Sequence, residues 1–129
     1  MHQIPHGTIL LLDDDPDIVR SLRTFLTRSG YGVLVAHRPS EAIHLARSHP
    51  GPIHLLVTDL VMPEMSGTEV AERIREIRPE IRVIVMSGYL EQDALESGEA
   101  VLGGGFLVKP FELEELRSRV EEQLRAGGG

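Results

Sequence analysis

Short, continuous apolar runs alternate with helix-length amphipathic stretches five times along this chain, and that alternation leaves few folds open. Ile9-Leu10-Leu11-Leu12 is apolar at every position, as a strand covered on both faces must be. Asp15 and Pro16 then supply an N-cap and a first helical residue. Ile18, Leu22, Phe25 and Leu26 fall on one helical face before Gly30. Val33-Leu34-Val35-Ala36 reads as a second strand. After Pro39, Ala42, Ile43 and Ala46 make a thinner stripe, closed by Pro50-Gly51-Pro52. Ile53 to Thr58 is the third strand, ending at Asp59. Ser66 and Glu69 stand at capping-box spacing ahead of Val70, Ile74 and Ile77, and Pro79 stops that helix. Ile81 to Met86 is the fourth strand, ending at Ser87-Gly88. Phe106-Leu107-Val108 is the fifth. Leu113, Leu116, Val120 and Leu124 then build a strong closing helix that frays into Gly127-Gly128-Gly129. The weakest signal lies from Leu90 to Gly105. Leu95 can anchor a short helix there, but Gly98 and Gly103-Gly104-Gly105 oppose a rigid one.

Strands separated by helix-length patterns imply βαβ units, parallel pairing and right-handed crossovers. The expected fold is therefore α/β, a five-stranded parallel sheet with five helices spread over both faces. The length of 129 residues predicts one domain, residues 1–129, with a core over about residues 8–126 and short flexible termini. The net charge of −7 and the absence of a basic cluster argue against direct binding of nucleic acid. No apolar stretch is long enough to span a bilayer. The segment from Met1 to Gly7 lacks the charged and apolar regions of a secretory signal, so a cytoplasmic protein is expected. Zero cysteines exclude disulfides, thiolate metal sites and thiol catalysis. His2, His6, His37, His44, His49 and His54 show no tight ligand spacing and read as surface or structural residues.

Three strand ends carry the chemistry. Asp13-Asp14-Asp15 follows the first apolar run, Asp59 the third, and Lys109-Pro110 the fifth. In an open parallel sheet the carboxyl ends of the strands are where ligands bind. Carboxylates crowded there repel: at ~4 Å and an effective dielectric near 20, each like-charge contact costs about 4 kcal/mol. A hard divalent cation with oxygen ligands removes that cost, and Mg²⁺ is the expected one. Phosphoryl transfer suits such a site, because it needs in-line positioning and neutralised phosphoryl oxygens. An aspartate can serve as the nucleophile and hold an acyl phosphate.

The segments LLLDDDPD (Leu10 to Asp17), VTDLVMPEMSG (Val57 to Gly67), VMSGY (Val85 to Tyr89) and FLVKPF (Phe106 to Phe111) resemble the receiver domain of two-component response regulators. The resemblance covers nearly the whole chain and implies a flavodoxin-like (β/α)5 fold with strand order 2-1-3-4-5. It implies that Asp59 is the phosphoacceptor, taking a phosphoryl group from a partner's phosphohistidine. Asp13 and Asp14 match the acidic pair that holds Mg²⁺ together with Asp59, Asp14 being the direct ligand of the pair, and the Val61 backbone carbonyl is a further ligand. Ser87 matches the hydroxyl that bonds the phosphoryl group. Lys109 matches the lysine that pairs with a phosphoryl oxygen, and its bond to Pro110 is expected to be cis. Phe106 occupies the aromatic switch position, where a Phe can act by packing but not by a hydroxyl latch. Val61 and Tyr89 flank the site at positions that tune access of water. The switching face is that of the fourth helix, fifth strand and fifth helix. The implied partners are a histidine kinase or histidine phosphotransfer protein, docking near Pro16, Ile18 and Pro110-Phe111, and an effector domain or a second copy for output.

The resemblance makes the chain a signalling module that catalyses only its own phosphorylation and slow dephosphorylation. The wording around Met86 to Tyr89 and Gly105 to Leu107 resembles receivers of hybrid histidine kinases. A competing reading is an aspartate-dependent phosphatase of the haloacid dehalogenase type, whose paired aspartates Asp13 and Asp15 would match. Against it, Asp17 stands where a Thr or Val is usual, and the chain has no room for a cap domain.

Overall fold

The computed structural model describes residues 7–88 and 105–128. Five parallel strands form one sheet in the order β2-β1-β3-β4-β5, made of β1 (Thr8–Leu12), β2 (Gly32–Ala36), β3 (Leu55–Asp59), β4 (Arg82–Gly88) and β5 (Gly105–Lys109). Four helices are present among the described residues: α1 (Pro16–Arg28), α2 (Pro39–Ser48), α3 (Gly67–Ile77) and α4 (Leu113–Gly128). The helix expected between β4 and β5 lies outside the described residues, so four of the five expected helices are in view.

The sheet explains why its strands read as unbroken apolar runs. Leu10, Leu12, Leu56, Val83 and Val85 pack with Ala42, Ala46, Val70 and Ile74 on the face covered by α2 and α3. Ile9, Leu11, Leu55, Val57, Ile84, Met86 and Leu107 pack with Val19, Leu22, Leu26, Leu116 and Val120 on the face covered by α1 and α4. Successive residues point to opposite faces, and both faces are covered. Such strands are therefore apolar over most of their length, with the buried polar Thr58 and Ser87 lying only toward the carboxyl ends of β3 and β4.

The helix ends follow local chemistry. The Asp15 side chain accepts from Asp17 N and Pro16 takes the first helical position of α1, while Gly30, with φ 101°, turns the chain away after it as few side-chain-bearing residues could. The Ser66 Oγ accepts from Glu69 N at the start of α3. Two expectations about the core need correcting. In α1 the buried stripe is Val19, Leu22 and Leu26, and Ile18 and Phe25 lie half-buried along its margin. Leu113, one turn before Leu116 in α4, is exposed rather than core.

Parallel pairing fixes where chemistry can gather. Asp59 is paired with Met86, Ser87 with Val108 and Gly88 with Lys109, so the carboxyl ends of β3, β4 and β5 share one edge. Asp13 is the first residue after β1 on that edge, and its N–H donates to Ala36 O.

Candidate functional site

Four predicted residues converge at the carboxyl edge. A carboxylate oxygen from each of Asp13, Asp14 and Asp59 lies within 4.8 Å of the others. Lys109 Nζ reaches in from the end of β5, 3.1 Å from Asp59 Oδ1 and 3.4 Å from Asp13 Oδ2. It is the only lysine of the chain, every other basic side chain in the count of 13 being arginine. A compact ammonium fits between two carboxylates where a planar guanidinium fork would not.

The environments of the acids differ. Asp13 is 1 % exposed and the Asp59 side chain 13 %, whereas Asp14 is open to solvent. Burial pushes the Asp13 carboxyl above the ordinary range, opposed by the Asp15 N–H and by Lys109. Burial likewise raises Asp59; Lys109 opposes this, Asp13 adds to it, and the Leu60 N–H opposes it. For Lys109, burial alone would lower the ammonium, but Asp13 and Asp59 outweigh it and hold it above the ordinary lysine value. The charged acids are therefore underpaid for their lost hydration, even with the lysine in place.

Hydrogen bonds aim each group. Asp13 Oδ1 accepts from Asp15 N at 2.9 Å, which leaves Oδ2 to face Lys109. Asp59 Oδ1 accepts from both Lys109 Nζ and Leu60 N, each at 3.1 Å. Oδ2 of Asp59 is then left without a protein donor among the described residues. Asp15, by contrast, is committed to capping α1, which leaves Asp13 without the second aspartate that the phosphatase reading requires.

The donor set fits Mg²⁺: three carboxylates, oxygen only, with one acid exposed and two largely buried. Ser87 is fully buried near the end of β4, and its Oγ has no hydrogen-bond partner among the described residues; a buried hydroxyl in that condition invites a ligand. Phe106 is half-buried and packs against the α2/α3 side of the core. Val61, two residues past the end of β3, is 57 % exposed. The Lys109–Pro110 peptide bond is cis, as the resemblance implies. Tyr89 falls outside the described residues.

Two residues near the site escaped the sequence reading. Gly67 packs so tightly that a Cβ placed on it would sit 2.2 Å from Asp59 O. Glu64 adopts φ 79° in the loop after Asp59. A glycine after Ser66 in the VTDLVMPEMSG segment could have hinted at the first. Nothing in the sequence distinguishes Glu64 from any loop glutamate.

Comparison with known proteins points to one family. Residues 9–121 match the family described as the response regulator receiver domain. The response regulator receiver protein CpdR of Brucella abortus is 36 % identical over 118 residues, covering 92 % of this chain and 97 % of that protein. The sensor kinase CckA of the same organism is 37 % identical over 120 residues, covering 92 % of this chain but only 12 % of the kinase. Among solved structures, a response regulator receiver protein from Sinorhizobium medicae superposes with a TM-score of 0.80 at 31 % identity, covering 94 % of this chain and 96 % of that one. With its sheet order, its acid cluster and these relatives in agreement, the chain belongs to the response regulator receiver domain family.

Proposed function

We propose that Asp59 is the residue on which this receiver domain of a two-component system accepts its phosphoryl group. The observation that carries this reading is the bridge of Lys109 Nζ between Asp59 Oδ1 and Asp13 Oδ2, inside a cluster of three carboxylates at the carboxyl edge of the sheet. Phosphoryl acceptance is the general function of the family. The partner is a histidine kinase or a histidine phosphotransfer protein, and the donor is its phosphohistidine.

Asp59 Oδ2, which takes no donor among the described residues, attacks phosphorus as the bond from phosphorus to the histidine nitrogen breaks, and the histidine leaves neutral after taking up a proton. Asp13, Asp14, Asp59 and the Val61 backbone carbonyl would hold Mg²⁺, which supplies charge neutralisation at the phosphoryl oxygens. Lys109 provides the second positive centre and follows the charge from the carboxylate to a phosphoryl oxygen. The Ser87 hydroxyl, buried and without a partner among the described residues, donates to another of those oxygens. Its movement opens room for Phe106 to repack, and the change is transmitted to the face formed by β5 and its neighbouring helices. Val61 and Tyr89 set how readily water reaches the acyl phosphate.

The chain is taken as a single receiver domain with a core over about residues 8–126. Its catalysis is confined to its own phosphorylation and slow dephosphorylation. The CpdR match spans nearly a whole protein and the CckA match a small part of a kinase; the chemistry proposed is the same in either setting. Output runs through an effector domain or a second copy. No helix among the described residues is long and apolar enough to cross a membrane, and the proposed setting is the cytoplasm. Incubation with acetyl phosphate and Mg²⁺ tests the proposal. Intact mass should rise by one phosphoryl group, and Asp59→Asn should abolish the gain. A gain that survives Asp59→Asn would place the acceptor elsewhere.

A further inference from the structure

Glu64 is the one non-glycine residue with positive φ among the described residues, at 79°. Met65 N donates to Pro63 O at 3.0 Å across it, so residues 63–65 close as a γ-turn of the positive-φ kind, which is rare and strained. A glycine would adopt that backbone without a Cβ penalty. A glutamate in its place requires a compensating contact, and the side chain makes one: Oε1 accepts from Ser40 N at 3.3 Å.

Ser40 is the second residue of α2, and the N-cap of that helix, Arg38, makes no side-chain capping bond. Glu64 thus fills, from another part of the chain, the place that Ser or Asp takes at most helix starts. Its negative charge also suits the positive end of the helix dipole. The far end of α2 is held as well. The Arg78 guanidinium, just past α3, donates to Ala46 O at 2.8 Å, Gly51 O at 2.9 Å and His49 O at 2.7 Å. The segment from Asp59 to Arg78 is therefore fastened to both ends of α2, and α2 is a fixed post beside the loop.

Resting on the reading of Asp59 as phosphoacceptor, we infer that Glu64 is a positioning residue, whose tether to the start of α2 holds the 60–66 loop so that the Asp59 carboxylate and the Val61 carbonyl keep the arrangement phosphorylation needs. The loop begins at Asp59 and is closed behind by Gly67 N donating to Leu60 O at 2.7 Å. Between those points, among the described residues, Glu64 provides the one side-chain bond that runs from residues 61–65 to a distant element. Losing it frees the loop that carries the proposed metal-binding carbonyl, while the core stays intact.

Three variants separate strain from tether. Glu64→Gly removes both, Glu64→Ala removes the tether and keeps the strain, and Glu64→Gln keeps an acceptor at the same reach. Phosphorylation by acetyl phosphate with Mg²⁺ is followed by intact mass, exchange of the Ser40 amide by NMR, and melting on the same samples. Glu64→Gly should melt at or above the wild type, yet phosphorylate about tenfold more slowly and exchange its Ser40 amide faster. Glu64→Ala should share the slower rate, and Glu64→Gln should recover most of the rate and the protection. A residue that serves folding alone would move rate and melting together. A wild-type rate in Glu64→Gly, or unchanged Ser40 protection in both truncations, overturns the inference. Wild-type protein that takes up no phosphoryl group sinks the Asp59 reading instead, and Ser40 exchange then decides the tether by itself.

Discussion

Gly67→Ala is the substitution for which the structure gives the sharpest expectation. The added Cβ would lie 2.2 Å from the backbone oxygen of Asp59, 3.1 Å from its carbonyl carbon and 3.1 Å from the Leu60 Cα. Real Cβ atoms do not approach closer than 3.0 Å, so the two backbones must part by about 0.8 Å, the kind of overpacking that costs roughly 1–3 kcal/mol. The obstructing atoms are main chain and cannot rotate away. The hydrogen bond from Gly67 N to Leu60 O, 2.7 Å, resists the same displacement. For a chain of this size each kcal/mol corresponds to about 3–6 °C in Tm, so melting should fall by roughly 5–15 °C. The group displaced belongs to Asp59, the proposed phosphoacceptor. A misplacement approaching 1 Å at a reacting group can cost about 100-fold, and a loss of phosphorylation rate of about 10- to 100-fold is expected. Calorimetry reads the first effect and a mass-spectrometric time course with acetyl phosphate and Mg²⁺ the second. Gly51→Ala is the control, because the nearest atoms there belong to the His49 imidazole at 3.4 and 3.9 Å, and it should change neither. If Gly67→Ala melts within about 2 °C of the wild type and phosphorylates at its rate, the rigid-backbone reasoning is refuted.

Arg78→Ala removes three charge-assisted bonds to carbonyls at the end of α2; because water can reach the freed carbonyls in part, the expected loss is about 2–3 kcal/mol in urea unfolding, and Arg78→Lys should recover less than half of it. Mg²⁺ at about 100 times its Kd should stabilise the fold by about 2.7 kcal/mol, and Asp13→Asn should remove most of that gain in thermal melts. Burial, with Glu121 adding and Arg117 and Arg125 opposing, raises the Tyr31 phenol above 10.0. Because the folded value is the higher one, its contribution is complete below pH 10.0 and is lost as pH climbs through the folded value; Tyr31→Phe should therefore unfold less steeply with alkali, measured by circular dichroism.

How far the molecule could be read from its residues depended on whether the signal was local. The five runs were legible because strands covered on both faces are apolar over most of their length, and the order of elements followed. Their limits were not: Gly32, Gly105 and Lys109 join strands because ladder pairing extends them, against the poor strand preference of glycine. Ile53 is buried yet lies outside β3, since burial alone does not distinguish a strand from the approach to one. In α1 the apolar arc is wide enough to admit both Ile18 and Val19, and only the sheet beneath decides that Val19 is central. Asp13, Asp59 and Lys109 were legible because each follows an apolar run, which marks a strand end. Glu64, Gly67 and Arg78 act through contacts with other elements, and no local pattern announces such contacts.

The charge count gives a reason why, on the proposed reading, folding alone would not make this site an acceptor. Three carboxylates against one ammonium leave two negative charges uncompensated, and a phosphoryl group brings more. With each like-charge contact near 4 Å costing about 4 kcal/mol at an effective dielectric of about 20, the incoming group would be repelled by the residues that must receive it. Lys109 cannot correct this by itself, since it is already shared between Asp13 and Asp59. The deficit equals the charge of one divalent cation, and the cluster offers that cation one exposed acid for entry and two buried ones for retention. On the proposed reading, the burial that raises Asp13 and Asp59 would be relieved in the same event that makes Asp59 approachable, so competence to accept phosphoryl would be governed by metal binding and only permitted by the fold.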